Sequence, residues 1–263
     1  MKTPIVFIHG LWLHSDSWKS WEVFFKDNGY ETFAPGWPGE AATVEETRAV
    51  PGIVAGFGID DVVAHYASFI QSLPTKPILI GHSFGGLIVQ KLLGMDMACA
   101  GIAIDAAPIK GVLALPFSAL KVASVALKNP GNWNRAVSLT ASEFHYGFTN
   151  TLSPEESSEL FKRWTIPSTA KPLFQATLAN FVPNSAAKVN VRNQDRGPLL
   201  LIAGGKDHTV PAAITRSTLK LYRKSQAITE YKEFNDRDHS LAINSQWKEI
   251  AEYSLSWLNE HSL

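Results

Sequence analysis

Cysteine is nearly absent from the 263-residue chain, and long apolar runs are missing. The single cysteine, Cys99, cannot form an internal disulfide bond, and its apolar setting between Met97 and Ala100 predicts a small buried side chain in a reducing compartment. No apolar run approaches the roughly 18 residues of a membrane-spanning helix, and the run from Ile5 to Ile8 is too short for a signal peptide. We therefore expect a cytoplasmic protein without stable membrane insertion.

An excess of either charge is also absent. Lysine plus arginine and aspartate plus glutamate number 24 each, so the formal net charge at pH 7 is +0. A neutral chain has no overall field that would gather a phosphate backbone. Nucleic acid is therefore not an expected partner, and we expect a small-molecule substrate bound by a monomer or a homodimer.

Signals for metal ions and dinucleotides are missing as well. No G-x-G-x-x-G sequence opens a helix after a strand, which disfavours a dinucleotide site. Several histidines stand without Cys or carboxylate residues at metal-ligand spacing: His14, His65, His145, His208 and His261. We expect no metal site and no cofactor.

Short runs of β-branched and aromatic residues recur along the chain, separated by helical patterns such as Trp18, Trp21, Phe24 and Phe25. The first five runs lack polar alternation, as strands buried on both faces do. This order of strands and helices predicts an α/β fold with a mostly parallel sheet and helices on both faces. The predicted strands are residues 5–8, 32–34, 78–80, 102–104, 199–202 and 228–234.

The segment from Ile109 to Gly197 interrupts this rhythm. It contains helical patterns and many aromatic residues but no convincing strand, and a structureless loop of this length is improbable inside a compact domain. We interpret residues 109–197 as a helical cap, or lid, inserted into an α/β core formed by residues 1–108 and 198–263. Its aromatic residues are expected to form a small core of their own.

One helix of this insert has a clear predicted start. Ser153 is the expected cap, Pro154 is the first helical residue, and Glu156 completes a capping box. The stretch from Gly36 to Gly58, which is rich in Gly, Pro and Ala, is expected to be a second long loop.

A serine enclosed by glycines follows the third predicted strand. Residues Gly81-His82-Ser83-Phe84-Gly85 have the form G-x-S-x-G and lie between the strand 78–80 and a helical pattern from Leu87. In this setting the motif forms a sharp turn that exposes the serine hydroxyl at the edge of the sheet. Because ligands of open α/β sheets bind at that edge, Ser83 is the candidate nucleophile.

A serine nucleophile needs a base and a group that orients the base, and in this setting the acid precedes the histidine along the chain. Asp207 lies in the loop after the predicted strand 199–202, and His239 lies in the loop after the last strand. Both loops leave the same edge of the sheet as Ser83. We predict a triad of Ser83, Asp207 and His239, with Asp105 as the alternative acid.

Two backbone N–H groups near Ser83 form the predicted oxyanion hole. The first strand ends in His9-Gly10, and Gly10 allows the backbone to approach a substrate closely. We assign the oxyanion hole to the N–H groups of Leu11 and Phe84. His9 is expected to hold the loop by hydrogen bonds and not to act as a base.

Together these motifs resemble the α/β-hydrolase superfamily. The shared features are His9-Gly10 after the first strand, the G-x-S-x-G sequence at 81–85, the G-x-x-D-x-x-V-P sequence at 204–211 and the late His239. The chain looks like the compact members, among them plant methyl-ester esterases and hydroxynitrile lyases. This resemblance implies about six strands and a helical cap before the acid-bearing strand.

Several positions separate this chain from particular branches of the superfamily. The hydroxynitrile lyases carry Thr where this chain has Gly10 and Lys where it has Ser240, which favours ester hydrolysis. A serine at position 83, in place of aspartate, disfavours the dehalogenase and epoxide hydrolase branches. Asp238 stands where many relatives have glycine, and it either raises the basicity of His239 or faces solvent.

The resemblance and the predicted triad imply a serine hydrolase that cleaves carboxylic esters of small to medium, largely apolar substrates through an acyl-enzyme. The apolar stretch at residues 111–127 is expected to shape the pocket. Fold and triad do not separate this function from thioesterase, amidase, C–C bond hydrolase, lyase or acyltransferase chemistry, or from a slow-turnover receptor. Those alternatives stay open at the level of the sequence.

Overall fold

Eight strands are present in the computed structural model, which describes residues 3–263. They are β1 (Ile5–Ile8), β2 (Thr32–Phe33), β3 (Ile78–His82), β4 (Ala100–Ile104), β5 (Ala136–Val137), β6 (Ser168–Thr169), β7 (Leu199–Gly204) and β8 (Thr229–Phe234). Six of them form one parallel sheet in the order β2-β1-β3-β4-β7-β8. The α/β fold class and the six core strands predicted from the sequence are therefore confirmed.

Helices follow most of the strands. They are α1 (Lys19–Asp27), α2 (Val44–Ala49), α3 (Ile59–Gln71), α4 (Phe84–Gly94), α5 (Phe117–Leu127), α6 (Ala141–Gly147), α7 (Pro154–Trp164), α8 (Lys171–Thr177), α9 (Ala212–Tyr222) and α10 (Trp247–Glu260). The expectation of a continuous loop from Gly36 to Gly58 is wrong, because α2 lies within it. Thr43 caps α2 by accepting the N–H of Glu46 at 3.2 Å, a local signal that the Gly, Pro and Ala content obscured.

Side chains of each strand alternate between the two faces of the sheet, and different helices cover each face. In β1, Ile5 and Phe7 join a cluster with Trp21 of α1 and with residues of α10. Val6 and Ile8 join the cluster that contains residues of α3, α4 and α9. The central strands are buried on both faces, and this explains why their sequences are apolar throughout.

The insert, residues 109–197, leaves the sheet after β4 and returns to it at β7. It contains α5 to α8 and the short antiparallel pair of β5 and β6, so the expectation that it holds no strand is wrong. Strands of two residues are too short to leave an alternating pattern in the sequence. The expectation of a separate small core is also wrong, since Phe144 and Phe148 belong to the same cluster as Ile8 and Leu11.

The start of α7 follows the sequence prediction only in part. Ser153 accepts the N–H of Glu156 at 3.1 Å, and Pro154 is the first helical residue, as expected. The carboxylate of Glu156 does not complete the capping box and accepts the N–H of Ser245 at 2.9 Å instead. A tertiary contact between the insert and the core has therefore replaced a local one.

The structure describes the environment of the cysteine and the length of the helices. Cys99 is only partly buried, so the prediction of a buried side chain is wrong. Within residues 3–263, the helices all fall short of the length and apolar character that crossing a bilayer requires.

Gly85 is the position at which we expect the tightest steric limit on the turn after β3. A Cβ atom at Gly85 would overlap the backbone carbonyl oxygen of Ile8 in β1, which no side-chain movement can relieve. We predict that Gly85→Ala lowers the free energy of unfolding by about 1–3 kcal/mol, measured by urea denaturation.

Gly52 provides the matched control for this substitution, because a Cβ atom there would meet nothing within 4 Å. Gly52→Ala should change the free energy of unfolding by no more than about 0.5 kcal/mol. Equal effects of the two substitutions would show that the contact with β1 does not limit the turn.

Candidate active site

Ser83 occupies a sharp turn between β3 and α4. Its backbone angles are φ 56° and ψ −122°, in a region that residues with a side chain rarely adopt. The Ser83 N–H donates to the carbonyl of Ile104 at 2.9 Å, and its carbonyl accepts the N–H groups of Gly86 and Ala107, each at 3.0 Å. The structure therefore contains the strained strand-to-helix turn that the G-x-S-x-G motif predicts.

Of the five non-glycine residues with positive φ in residues 3–263, three lie at one edge of the sheet. Trp12, Ser83 and Asp105 have φ values of 65°, 56° and 43°, and they follow the neighbouring strands β1, β3 and β4. A residue in such a conformation costs on the order of 1–3 kcal/mol, and strain of this kind clusters at functional sites. The C-terminal edge of the sheet is therefore the candidate active site.

Asp207 and His239 meet at this edge. Nδ1 of His239 lies 2.6 Å from Oδ2 of Asp207, and both side chains are buried. The other carboxylate oxygen of Asp207 accepts the N–H groups of Thr209 at 2.6 Å and Val210 at 2.9 Å. With its Nδ1–H directed at Asp207, a neutral His239 ring has an unprotonated Nε2, the form in which it can accept a proton.

Asp105, the alternative acid, is less well placed. Its Oδ2 lies 3.8 Å from Nδ1 of His239, and its Oδ1 accepts the N–H of Gly204 at 2.7 Å. Burial, and then the neighbouring carboxylate of Asp207, raise the pKa of Asp105 well above its usual range. The longer distance from Asp105 to His239 and the raised pKa of Asp105 both favour Asp207 as the charged partner of His239.

His82, the residue before Ser83, links the serine turn to the histidine loop. Its Nε2 lies 2.8 Å from the backbone carbonyl oxygen of His239, and the two imidazole rings are 4.5 Å apart. Burial, and then the nearby His239, lower the pKa of His82 well below its usual range. A neutral His82 thus donates from Nε2 to this carbonyl, a role that sequence reasoning missed because no spacing rule connects residues 82 and 239.

His82, Asp105 and His239 are also the residues that come closest to a metal-ligand set. One ligand atom from each lies within 4.8 Å of the others. Nδ1 of His239 lies 2.6 Å from Oδ2 of Asp207, and Nε2 of His82 lies 2.8 Å from the backbone carbonyl oxygen of His239. The other ring nitrogens, Nδ1 of His82 and Nε2 of His239, and Oδ2 of Asp105 have no hydrogen-bond partner in the part of the chain that the structure describes. We assign this cluster to the support of His239.

The two residues of the predicted oxyanion hole lie beside Ser83. A Cβ atom at Gly10 would lie 2.6 Å from Cβ and 3.2 Å from Oγ of Ser83, so the loop after β1 rests against the serine. Phe84 is the first residue of α4, where backbone N–H groups have no partner within the helix. Leu11 and Phe84 both border the cavity that Ser83 borders.

A buried glutamate holds the loop that carries Leu11. Nδ1 of His9 is 2.8 Å from the carbonyl oxygen of Gly10, and Nε2 of His9 is 2.9 Å from Oε2 of Glu40. Burial acts to raise the pKa of Glu40, but the charges of His9 and His14 and the hydrogen bonds from His9 and Ser15 outweigh it and lower the pKa to about 2. His9 is thus part of the loop framework, while Glu40 lies in a stretch that the sequence suggested was only a loop.

Ser83 borders an apolar cavity of about 430 Å³. Most of its other walls come from the insert, including Val112 and Val122. Four apolar side chains that line the cavity are also exposed to solvent, and we call them the entrance rim: Leu113 at 77%, Leu115 at 71%, Leu120 at 45% and Phe181 at 83% exposure. The serine therefore faces a space suited to an apolar ligand that enters past the insert.

Asp238, which departs from many relatives, does not face solvent. Its side chain is fully buried and its two oxygens accept hydrogen bonds from Thr151 and Ser240. The alternative of a solvent-facing carboxylate is therefore wrong. Thr151 belongs to the insert and lies 87 residues away in the chain, so no sequence pattern indicated this contact.

The raised pKa of Asp105 leads to a prediction about stability and pH. Above the ordinary value of 3.8, the unfolded chain loses this proton while the native protein keeps it, so wild-type stability falls as the pH rises. Asp105→Asn removes this dependence. The variant should gain stability over the wild type as the pH rises above 3.8, by up to about 1 kcal/mol per pH unit, measured by urea unfolding at a series of pH values.

The control for this series is Asp195→Asn, which changes an exposed aspartate. Its free energy of unfolding should differ from the wild-type value by the same small amount at every pH. A difference between Asp105→Asn and the wild type that does not vary with pH would contradict a protonated Asp105.

Known proteins share this architecture. The sequence profile of the alpha/beta hydrolase family matches residues 5–253, whereas a search of curated proteins gives no match. Similar solved structures include Paleococcus ferrophilus monoacylglycerol lipase (TM-score 0.70, 20% identity, 99% of this chain and 97% of that chain), an Arabidopsis methylesterase (0.66, 17%, 98% and 99%) and polyneuridine aldehyde esterase (0.67, 19%, 97% and 99%). Identities this low show a common fold. Because the family profile spans most of its length, the chain belongs to the alpha/beta hydrolase family.

Proposed function

We propose that this protein is a serine hydrolase that cleaves carboxylic esters of small to medium, largely apolar substrates. The observation that carries the proposal is the buried 2.6 Å contact between His239 and Asp207 at the sheet edge where Ser83 borders an apolar cavity. The similar structures named as lipase, methylesterase and esterase support the same class of reaction.

The reaction begins when Oγ of Ser83 attacks the ester carbonyl carbon. His239 accepts the serine proton at Nε2, and Asp207 stabilises the resulting imidazolium through the contact at Nδ1. The negative charge on the carbonyl oxygen is held by the N–H groups of Leu11 and Phe84. Each such donor typically contributes about 3 kcal/mol to the stability of the transition state.

The second half of the reaction uses the same groups. His239 gives its proton to the leaving alcohol, which departs and leaves an acyl ester on Ser83. Water then attacks this ester while His239 takes a proton from the water. His239 passes that proton to Oγ of Ser83 as the bond between Oγ and the acyl carbon breaks, and the carboxylic acid is released. No group beyond these residues and water is needed for the atoms and charges to balance.

The walls of the cavity support an apolar acyl or alcohol group. Val112, Val122 and Ile214 are buried aliphatic side chains of this wall, and none of them can pair with a charged substrate. A cavity of about 430 Å³ is of the size that accommodates ligands of modest length. We therefore include small and medium acyl chains in the proposed substrate range.

Ester hydrolysis is tested with p-nitrophenyl acetate, butyrate and octanoate. The wild type should turn over at least one of them repeatedly, and Ser83→Ala and Asp207→Asn should each lower kcat by about 10⁴-fold, because they remove the nucleophile and the acid partner. Asp105→Asn tests the alternative acid. Because Oδ2 of Asp105 lies 3.8 Å from Nδ1 of His239, against 2.6 Å for Asp207, kcat should stay within about tenfold of the wild type.

Two results would reject this function. One is a wild type that gives a single stoichiometric burst, as a receptor with slow turnover would. The other is a wild type that cleaves thioesters or carbon–carbon bonds but none of the esters.

The role of the insert in chain-length preference is tested on α5. Ala119 lines the cavity, whereas Ser124 on the same helix is exposed and does not. A tryptophan at position 119 fills space that a longer acyl chain would occupy. Ala119→Trp should lower kcat/KM for the octanoate ester by about tenfold relative to the acetate ester, and Ser124→Trp should leave this ratio unchanged. Equal ratios in both variants would place the acyl chain elsewhere.

A further inference from the structure

One short segment of the insert, residues 146–151, contacts both loops that carry the predicted acid and base. We call it the clamp segment, and we call residues 205–211 the acid loop and residues 235–240 the base loop. The contacts with the acid loop are hydrogen bonds from Nδ2 of Asn150 to the carbonyl of Lys206 (3.0 Å) and from Oγ1 of Thr209 to the carbonyl of Gly147 (2.8 Å), and a contact between Nδ1 of His208 and the carbonyl oxygen of Tyr146 (2.9 Å).

The contact with the base loop is a buried carboxylate. Oδ2 of Asp238 accepts both the N–H and the hydroxyl of Thr151, at 2.8 Å and 2.7 Å. Its Oδ1 accepts the N–H and the hydroxyl of Ser240, at 3.1 Å and 2.6 Å. Asp238 is fully buried, so these partners replace the water that the carboxylate has lost, and half of them come from the insert.

The clamp segment also packs directly on the predicted base. The ring of Phe148 lies 4.7 Å from the ring of His239, edge to face at 81°, and Phe148 is 1% exposed. His82 contacts the same imidazole at 4.5 Å. Between these two rings His239 has little room to turn, so its orientation depends on where the base loop and the clamp segment lie.

We propose that Thr151 and Asp238 are positioning residues for His239, and that the insert is thereby a part of the catalytic framework as well as a wall of the cavity. This inference rests on the proposed hydrolase function. Thr151 fixes Asp238, and Asp238 fixes the backbone that leads into His239. A general base must stay within hydrogen-bond reach of the proton it accepts, so a small displacement of this loop lowers the rate of the chemical step.

The location of Thr151 and Asp238 predicts how their loss would change the kinetics. Neither Thr151 nor Asp238 borders the apolar cavity that Ser83 borders, so neither is placed to bind the substrate. Loss of their contact should therefore lower kcat and leave KM unchanged. A purely structural contact would instead lower stability and leave kcat per folded molecule as it was.

Thr151 is the best position for the test because its side chain is exposed and its substitution does not endanger the core. Thr151→Val removes the hydroxyl that donates to Asp238 and keeps the shape, while Thr151→Ser keeps the hydroxyl. With p-nitrophenyl butyrate, we expect Thr151→Val to lower kcat by about three- to tenfold with KM within about twofold, and Thr151→Ser to stay within about twofold in both. Urea unfolding of each variant gives the fraction folded.

Asp238→Asn tests whether the two residues act by one route. It removes the charge that Thr151 contacts, so adding Thr151→Val to it should lower kcat by less than about twofold more. If the double variant loses kcat by the product of the two single losses, Thr151 and Asp238 act independently, and the proposal is contradicted. A Thr151→Val variant with wild-type kcat, or a Thr151→Ser variant as slow as Thr151→Val, would contradict it as well.

A readout that needs no substrate separates this inference from the proposed function. The proton on Nδ1 of His239, in its short bond to Asp207, is observed by NMR in the wild type and in both Thr151 variants. Broadening by faster exchange in Thr151→Val alone supports positioning, even if the wild type cleaves no ester and the proposed function fails. Identical signals in all three proteins overturn positioning, even if Ser83→Ala abolishes ester hydrolysis.

Discussion

The strained turn at Ser83 is the constraint on which the rest of the site depends. A backbone at φ 56° persists only when its surroundings hold it, and here Ile104 accepts its N–H while Gly86 and Ala107 bond its carbonyl. The close approach of Gly10 to Ser83 brings the loop after β1 against the same point. The ends of β1, β3 and β4 are thus joined at one place, and the functional groups of several loops converge there.

Behind this turn lies a buried cluster of three carboxyl groups and two imidazoles, and two features limit unpaired charge in it. Burial raises the pKa of Asp105 and lowers that of His82, and each shift favours the uncharged form. Asp207 and Asp238 are each surrounded by hydrogen-bond donors. As a result, the shortest contact of the His239 ring to an acid is the one with Asp207 at 2.6 Å.

The insert has two ends of different character. The clamp segment is tied to the acid and base loops, and Phe148 and Thr149 within it are buried. The side chains of the entrance rim are exposed to solvent instead, with Leu113 at 77% and Phe181 at 83% exposure. Fixed groups favour catalysis, whereas a loosely packed rim suits the entry of an apolar ligand. The two demands are met by separate parts of one insertion.

The sequence by itself determined the α/β fold, the turn at Ser83 and the loops of Asp207 and His239, because buried runs, glycines and chain order are local signals. It did not determine the short strands of the insert or the shared core, since neither leaves a periodic pattern. The structure decided between the two acids, because Nδ1 of His239 lies 2.6 Å from Oδ2 of Asp207 and 3.8 Å from Oδ2 of Asp105. Only the tertiary structure decided that Thr151 holds Asp238 across 87 residues, because such a contact depends on the packing of the insert and not on any neighbouring residue.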